Sequence, residues 1–200
     1  MRVVLGGEGK TELGEWVKEP PFREQPGEKG VLVALLERVA GGEWTTVDGV
    51  QRSKIRKYRA GKHASAEERN VLGLALNAQR ARCDTLVFSR DRDGFDARER
   101  DIEDGIRRVR DIFPDLSVVG GMAIENVESW ILVALGARGE DLSSKDTKRE
   151  LDGRFGVSSL QGKVDAIAGA SLEHLPPGSL HTWLERAREV FGQPRGENGS

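Results

Sequence analysis

The sequence predicts an α/β fold in which a mostly parallel central sheet is flanked by helices. Short apolar runs of strand length recur along the chain, and longer segments with apolar residues at helical spacing lie between them. Strands that alternate with helices in this way pair in parallel and are covered on both faces. Ligands of such sheets bind at the carboxyl ends of the strands, which is where the unusual polar motifs of this chain fall.

The elements follow in order along the chain. The predicted strands are residues 2–6, 45–50, 85–88 and 116–122. The predicted helices are residues 31–39, 66–82, 97–113, 126–135, 144–155, 158–169 and 179–192. Residues 19–30 are rich in proline and glycine, so a loop is expected there.

The length of 200 residues fits one domain with a small helical appendage. We expect residues 1–140 to form an α/β domain. Residues 141–192 should form a helical C-terminal extension packed on that domain. The polar residues 193–200 are predicted to be a disordered tail.

Several classes of protein are disfavoured by composition. No apolar run approaches the roughly 20 residues of a membrane span, and no secretory signal precedes the first strand. The single cysteine, Cys83, rules out an intrachain disulfide. We therefore expect a cytoplasmic protein with no membrane partner. The three histidines are scattered, so a bound metal would have mainly carboxylate ligands, which indicates Mg²⁺ or Mn²⁺.

Acidic motifs follow three of the predicted strands. Residues 8–12 (EGKTE) follow the first strand, residues 91–94 (DRDG) follow the third, and residues 124–130 (IENVESW) join the fourth to its helix. Carboxylates gathered at one sheet edge repel one another, and a bound cation would relieve that repulsion. Asp91 and Asp93 can reach the same ion, because Gly94 permits the tight turn that presents them.

These motifs resemble the Toprim domain of topoisomerases, primases and overcoming-lysogenization-defect nucleases. The resemblance covers roughly residues 1–135 and is closest to small stand-alone Toprim-like proteins of bacteria, in which a glutamate shortly precedes a tryptophan, as in Glu128-Ser129-Trp130. It implies that Glu8 is a general base or metal ligand, that Asp91 and Asp93 are metal ligands, and that Glu12 supports the first motif. Glu125 or Glu128 would complete the site, with Glu128 the better match.

The resemblance further implies metal-dependent cleavage of a nucleic-acid phosphodiester, in DNA or RNA. The protein would be a nuclease, with catalytic residues Glu8, Asp91, Asp93 and Glu128. Many small Toprim-like proteins work beside a separate ATPase, so a partner ATPase and a defence or toxin-like role are also implied.

Each acidic residue also has a structural alternative. Asp91 and Asp93 could cap the helix that begins at residue 97, although Asp96 is better placed for that task. Asn126 is a good N-cap residue, and Glu128 in the first turn would favour the helix dipole.

A basic segment offers a nucleic-acid-binding surface. Residues 51–63 contain no acidic side chain, and their basic side chains can neutralise phosphates whatever the base sequence. Lys10 is a further candidate for a phosphate contact. The predicted contacts in the segment are Arg52, Lys54, Arg56, Lys57, Arg59 and Lys62.

Two other functions remain open from sequence. Residues 6–11 (GGEGKT) resemble the deviant Walker motif of partitioning-type ATPases, but Leu5 stands where that motif has lysine and Glu12 replaces its second hydroxyl residue. The chain could also be a non-catalytic module that binds nucleic acid or protein on the same fold.

Overall fold

A computed structural model describes residues 1–15, 27–56, 58, 64–137, 142 and 146–192 of the chain. Within these residues, four strands form one sheet in the order β2-β1-β3-β4, and every pairing is parallel. The predicted α/β class with a parallel central sheet is therefore confirmed. The strands are β1 (Arg2–Gly7), β2 (Thr45–Gln51), β3 (Thr85–Asp91) and β4 (Ser117–Ala123).

The predicted helices are all present among the described residues, with ends shifted by a few positions. Two short elements were not predicted, the single-turn helix α1 (Lys10–Leu13) and a 3-10 turn at Arg52–Lys54. No described helix is both long enough and apolar enough to cross a bilayer. The other helices are α2 (Val31–Val39), α3 (Ala66–Arg80), α4 (Ala97–Ile112), α5 (Val127–Ala134), α6 (Thr147–Phe155), α7 (Leu160–Gly169) and α8 (Ser179–Phe191).

Some predictions fall outside the described residues. Most of the expected loop at 19–30 and all of the expected tail at 193–200 lie there. The expected boundary between residues 140 and 141 does too, so the division into an α/β domain and a helical extension stays a prediction.

The sheet separates two apolar clusters, because successive strand residues point to opposite faces. One cluster contains Leu5, Val87 and Val119 and is covered by α2, α5 and α8; we call this side the α5 face. The other contains Leu86 and Phe88 and is covered by α3 and α4; we call this side the α3 face. Every side chain at the strand ends therefore belongs to one face or the other.

The C-terminal helices pack on the α5 face through Trp183. This side chain is fully buried, donates a hydrogen bond from Nε1 to the carbonyl oxygen of Phe88 at 3.0 Å, and packs against Trp130 with ring centroids 5.7 Å apart. Arg186 reaches the other side of β4, where it donates to the Gly120 carbonyl at 2.6 Å and to Glu103 of α4 at 2.8 Å. Helix α8 thus ties both layers to β4.

Replacing Trp183 with alanine should cost about 3–5 kcal/mol of unfolding free energy, because the change leaves a cavity between α8 and the sheet. Urea denaturation of Trp183→Ala measures the loss. The exposed Glu185→Ala, two residues along the same helix, is the control and should change stability by less than about 0.5 kcal/mol. Equal stability of the two variants would show that α8 does not stabilise the sheet.

Candidate functional site

The carboxyl ends of β1, β3 and β4 meet at one edge of the sheet, and the acidic motifs lie there. Gly7 is the last residue of β1, Asp91 the last of β3 and Ala123 the last of β4. Asp91 pairs with Ala123, so β3 extends three residues beyond the expected end at residue 88. The expectation that Asp91 follows the strand was therefore wrong, and its direction is set by the strand itself.

The alternation along β3 sends neighbouring opposite charges to opposite faces. Leu86 and Phe88 face α3, so Arg90 does as well, whereas Val87 and Asp91 face α5. The buried Arg90 accordingly contacts Glu67 at the start of α3. On the other face, Asp91 lies among carboxylates.

Asp91 is surrounded by negative charge. Burial, followed by repulsion from Glu12, Glu8, Asp93 and Glu128, raises the pKa of Asp91 to about 8. Its Oδ1 atom is buried and has no hydrogen-bond partner within the described part of the chain. An orphaned carboxylate oxygen in this position is costly, and it is an available ligand for a cation.

The same face holds Glu12 against the end of β1. Glu12 is 4% exposed, and burial raises its pKa to about 6, with further repulsion from Glu128 and Glu8. A Cβ atom on Gly7 would lie 2.7 Å from the Cβ of Glu12, so only glycine allows this close approach. Gly7 therefore contributes to the site by bringing a second carboxyl next to Asp91.

The second motif is held by Arg98 from the first turns of α4. The Arg98 Nη1 atom donates to the carbonyl oxygens of Asp91 and Arg92, both at 2.6 Å, and to Asp93 Oδ2 at 2.8 Å. Asp93 and Gly94 both have positive φ, as the tight turn requires. Aspartate is one of the few non-glycine residues that adopts this conformation readily.

Asp96 occupies the N-cap position of α4, as expected, but it does not act as the cap. No hydrogen bond to its side chain from the helix is found among the described residues. The assignment of the capping role to Asp96 was therefore wrong, although Asp91 and Asp93 do not cap the helix either. Asp93 instead accepts hydrogen bonds from Arg98 and Arg90.

The third motif separates its two glutamates. Glu125 forms an ion pair with Arg92 at 3.0 Å, whereas Glu128 is 2% exposed and pairs with Lys163 of α7 at 2.8 Å. Glu128 is among the charges that raise the pKa of Asp91. Glu128 thus belongs to the acidic cluster, which we define as Glu8, Glu12, Asp91, Asp93 and Glu128.

Asn126 is the N-cap residue of α5 in position only. Its side chain makes no capping hydrogen bond among the described residues, and its Oδ1 atom instead accepts one from Thr147 Oγ1 at 2.6 Å. The residue therefore ties α5 to α6 rather than closing its own helix.

The contacts of the first motif argue against a phosphate-binding loop. Helix α1 is one turn long, so it has little dipole to offer an anion. The backbone N–H of Gly9 already donates to Glu12 Oε2 at 2.9 Å. Lys10 pairs with Glu28 at 3.0 Å and with Glu15 at 3.7 Å, so its charge is partly neutralised. These contacts disfavour a nucleotide triphosphate at residues 6–11.

Within its described part, the basic segment contacts the site through Arg52. Arg52 lies 3.9 Å from Glu8 and 3.7 Å from Glu67 in ion pairs. Lys54 and Arg56 are exposed at the surface nearby in sequence. Lys57, Arg59 and Lys62 lie outside the described residues, so their contribution stays a prediction.

Comparison with protein-family models, with curated proteins and with solved structures finds no match. The resemblance to the Toprim domain therefore rests on the motif residues and on their order along a parallel α/β sheet.

A divalent cation fits the chemistry of the acidic cluster, which offers hard oxygen donors and the orphaned Asp91 Oδ1. Among the described residues, no three His, Cys, Asp or Glu side chains stand close enough to hold an ion. Glu8, Asp93 and Glu128 contact arginine or lysine instead. An ion bound at Asp91 would therefore have to compete with these basic partners for its other ligands.

Three important side chains were not found by sequence reasoning. Glu67 is the buried partner of Arg90, Arg98 holds the second motif, and Lys163 neutralises Glu128. Glu67 gave no distinctive signal in the sequence, because an acidic residue in the first turn of a helix is common. Lys163 gave none either, since its position depends on how α7 packs.

In the metal-free protein, the wild type should lose stability as the pH rises, and Asp91→Asn should lose less. The pKa of Asp91 is raised from 3.8 to about 8, so its favourable contribution is complete below about pH 4 and is lost as the pH rises toward 8. Glu12, with its pKa raised from 4.5 to about 6, acts in the same direction.

Urea unfolding with EDTA between about pH 4 and pH 9 tests this dependence. Asp91→Asn should gain on the wild type as the pH rises, by about 1.4 kcal/mol or more at the upper end, the equivalent of one pKa unit. Asp96→Asn makes the same chemical change at an exposed position and should keep the wild-type profile. Parallel profiles for all three proteins would contradict the assignment.

Proposed function

We propose that the protein is a metal-dependent nuclease that cleaves phosphodiester bonds of nucleic acid with Mg²⁺ or Mn²⁺. One observation carries the proposal: a buried oxygen of Asp91, without a hydrogen-bond partner among the described residues, lies among the carboxylates of the acidic cluster at the carboxyl edge of a parallel sheet. Burying negative charge in this way costs stability, so it indicates a cationic ligand.

The roles of the residues follow from their positions. Asp91 is the central ligand, because its direction is fixed by β3 and its Oδ1 atom has no competing partner among the described residues. Glu8 and Asp93 are ligands that exchange arginine contacts for the ion. Glu12 and Glu128, both buried, maintain the negative potential that attracts the ion. The bound metal would activate water and stabilise the charge that develops on the phosphoryl oxygens.

Arg52, the first basic residue of the segment at 51–63, supports a nucleic-acid substrate. Its side chain forms an ion pair with Glu8, so a phosphate bound to Arg52 would lie next to the acidic cluster. We include in the proposal a cytoplasmic location, which rests on composition. A partner ATPase and a role as a defence or toxin-like effector are also included and rest on the sequence resemblance.

Cleavage should require both the metal and Asp91. With Mn²⁺ or Mg²⁺, labelled single- and double-stranded DNA and RNA are incubated with the wild type, Asp91→Asn and the matched Asp96→Asn. Asp91→Asn should slow cleavage about a hundredfold or more, on the scale of losing one charge-stabilising group in an active site. EDTA should abolish cleavage, and Asp96→Asn should behave as wild type.

Cleavage that persists in Asp91→Asn or in EDTA would refute the proposed site. Absence of cleavage by the wild type, together with retained nucleic-acid binding, would instead favour the non-catalytic binding module.

Metal binding should be measurable apart from catalysis. Mn²⁺ at about 100 times its dissociation constant should stabilise the wild type by roughly 2.7 kcal/mol, since the ion binds the folded state. Thermal unfolding should show this gain in the wild type and in Asp96→Asn but not in Asp91→Asn. An equal gain in all three proteins would place any bound ion elsewhere.

A further inference from the structure

The guanidinium group of Arg90 is fixed by Glu67 through two of its nitrogen atoms, and its third nitrogen atom faces the site. Its Nε and Nη2 atoms both bond to Glu67, at 3.2 and 3.1 Å, and Glu67 is in turn held by Asn70 at 3.1 Å. Burial alone would raise the pKa of Glu67, but the hydrogen bonds and charge of Arg90 lower it, so Glu67 is a charged anchor. The remaining Nη1 atom contacts Glu8 and Asp93.

Arg52 approaches the same carboxylate from β2. Its Nε atom lies 3.9 Å from Glu8 Oε1, the oxygen that Arg90 Nη1 also contacts. The side chain of Arg52 is 42% exposed, whereas that of Arg90 is 6% exposed. Both guanidinium groups therefore form ion pairs with one carboxylate oxygen, and Arg90 is buried whereas Arg52 is open to solvent.

A carboxylate between two arginines occupies the place that a phosphate would take, because guanidinium groups bind both anions with the same geometry. We propose that Arg52 and Arg90 form a binding site for a phosphate group of the nucleic acid, and that Glu8 and Asp93 block this site in the metal-free protein. The blocked phosphate site rests on the contacts alone, whereas the role of the metal in opening it rests on the proposed function.

The local charges explain how the site opens. Around Glu67, the guanidinium groups of Arg52, Arg90 and Arg98 are balanced by the carboxylates of Glu8, Glu67 and Asp93. A cation bound at Asp91 attracts Glu8 and Asp93 and withdraws their charge from the arginines. Glu67 then remains as the anchor of Arg90, and the site gains net positive charge for a phosphate.

Metal and phosphate should therefore bind cooperatively through Glu8. By thermodynamic linkage, the nucleic acid must raise the affinity for the metal by the same factor by which the metal raises the affinity for nucleic acid. The arginines would then meet a phosphate only when the ion is in place.

The test begins without metal. A fluorescent single-stranded oligonucleotide is titrated in EDTA with the wild type, Glu8→Gln and Asp93→Asn. Glu8→Gln removes the negative charge that pairs with Arg90 and Arg52. This variant should therefore bind the oligonucleotide about fivefold to tenfold more tightly than the wild type. Asp93→Asn should show a smaller gain, because Asp93 contacts Arg90 at 3.4 Å and is mainly held by Arg98.

A matched control separates release of the site from a change in net charge. Glu103→Gln removes one negative charge and the ion pair of Arg186. Among the described residues, Arg186 forms no ion pair with Glu8 or Glu67. The affinity of Glu103→Gln should stay within about twofold of the wild type. The double variant Glu8→Gln with Arg52→Gln should lose much of the gain; Arg52 is half exposed, so this variant should fold.

Competition with inorganic phosphate and with AMP distinguishes a general phosphate site from one that requires the nucleic-acid strand.

Unchanged or weaker binding by Glu8→Gln in EDTA would overturn the proposal, as would an equal gain from Glu103→Gln. A final arm adds Mn²⁺, which should increase oligonucleotide affinity less in Glu8→Gln than in the wild type. If Mn²⁺ does not bind the wild type at all but Glu8→Gln still gains affinity in EDTA, the metal site fails and the blocked phosphate site stands. If Mn²⁺ binds but Glu8→Gln shows no gain, the metal site stands and the phosphate site fails.

Discussion

The buried negative charge around Asp91 is the constraint on which this edge of the sheet depends. Burial and neighbouring carboxylates keep the pKa of Asp91 far above its ordinary value, and one of its oxygens has no partner among the described residues. A site optimised only for stability would place an amide or an apolar group there. A buried carboxyl that reduces stability is expected where the structure binds a ligand.

The alternation of side chains along β3 prevents the adjacent Arg90 from pairing with Asp91. Because Arg90 and Asp91 are adjacent in a strand, they point to opposite faces, and the arginine cannot turn to pair with its neighbour. Arg90 is committed to Glu67, and Arg98 is committed to the backbone of the second motif. Glu8 and Asp93, at the sheet edge, connect the two faces, since each contacts Arg90 and also repels Asp91.

The sequence predicted what depends on short-range patterns. Apolar periodicity located every described helix longer than one turn and all four described strands, and the acidic motifs were found at the strand ends because parallel strands share a carboxyl edge. The strand order was not predicted, because pairing depends on the packing of the whole domain. The length of β3 was missed because Ser89, Arg90 and Asp91 are polar residues in a strand and break the apolar signal.

The partners of the site residues were less accessible to sequence reasoning. Glu67 and Lys163 reach the site from α3 and α7, and their distances in sequence from the motifs give no local pattern. The capping assignments for Asp96 and Asn126 were correct in position but not in hydrogen bonding. Asn126 accepts a hydrogen bond from Thr147 instead. Asp96 has helical φ and ψ angles of −60° and −33°, whereas a capping residue is usually extended. Long-range electrostatics, which decides whether Asp91 is a ligand, is therefore visible only in three dimensions.

The most direct test of the metal site is an anomalous difference map from crystals of the protein soaked with Mn²⁺. The account predicts a peak within coordination distance of Asp91 and of at least one of Glu8 and Asp93, with the Glu8–Arg90 contact weakened or broken. A peak confined to residues 6–11, or a fully occupied Mn²⁺ site away from Asp91, would contradict it.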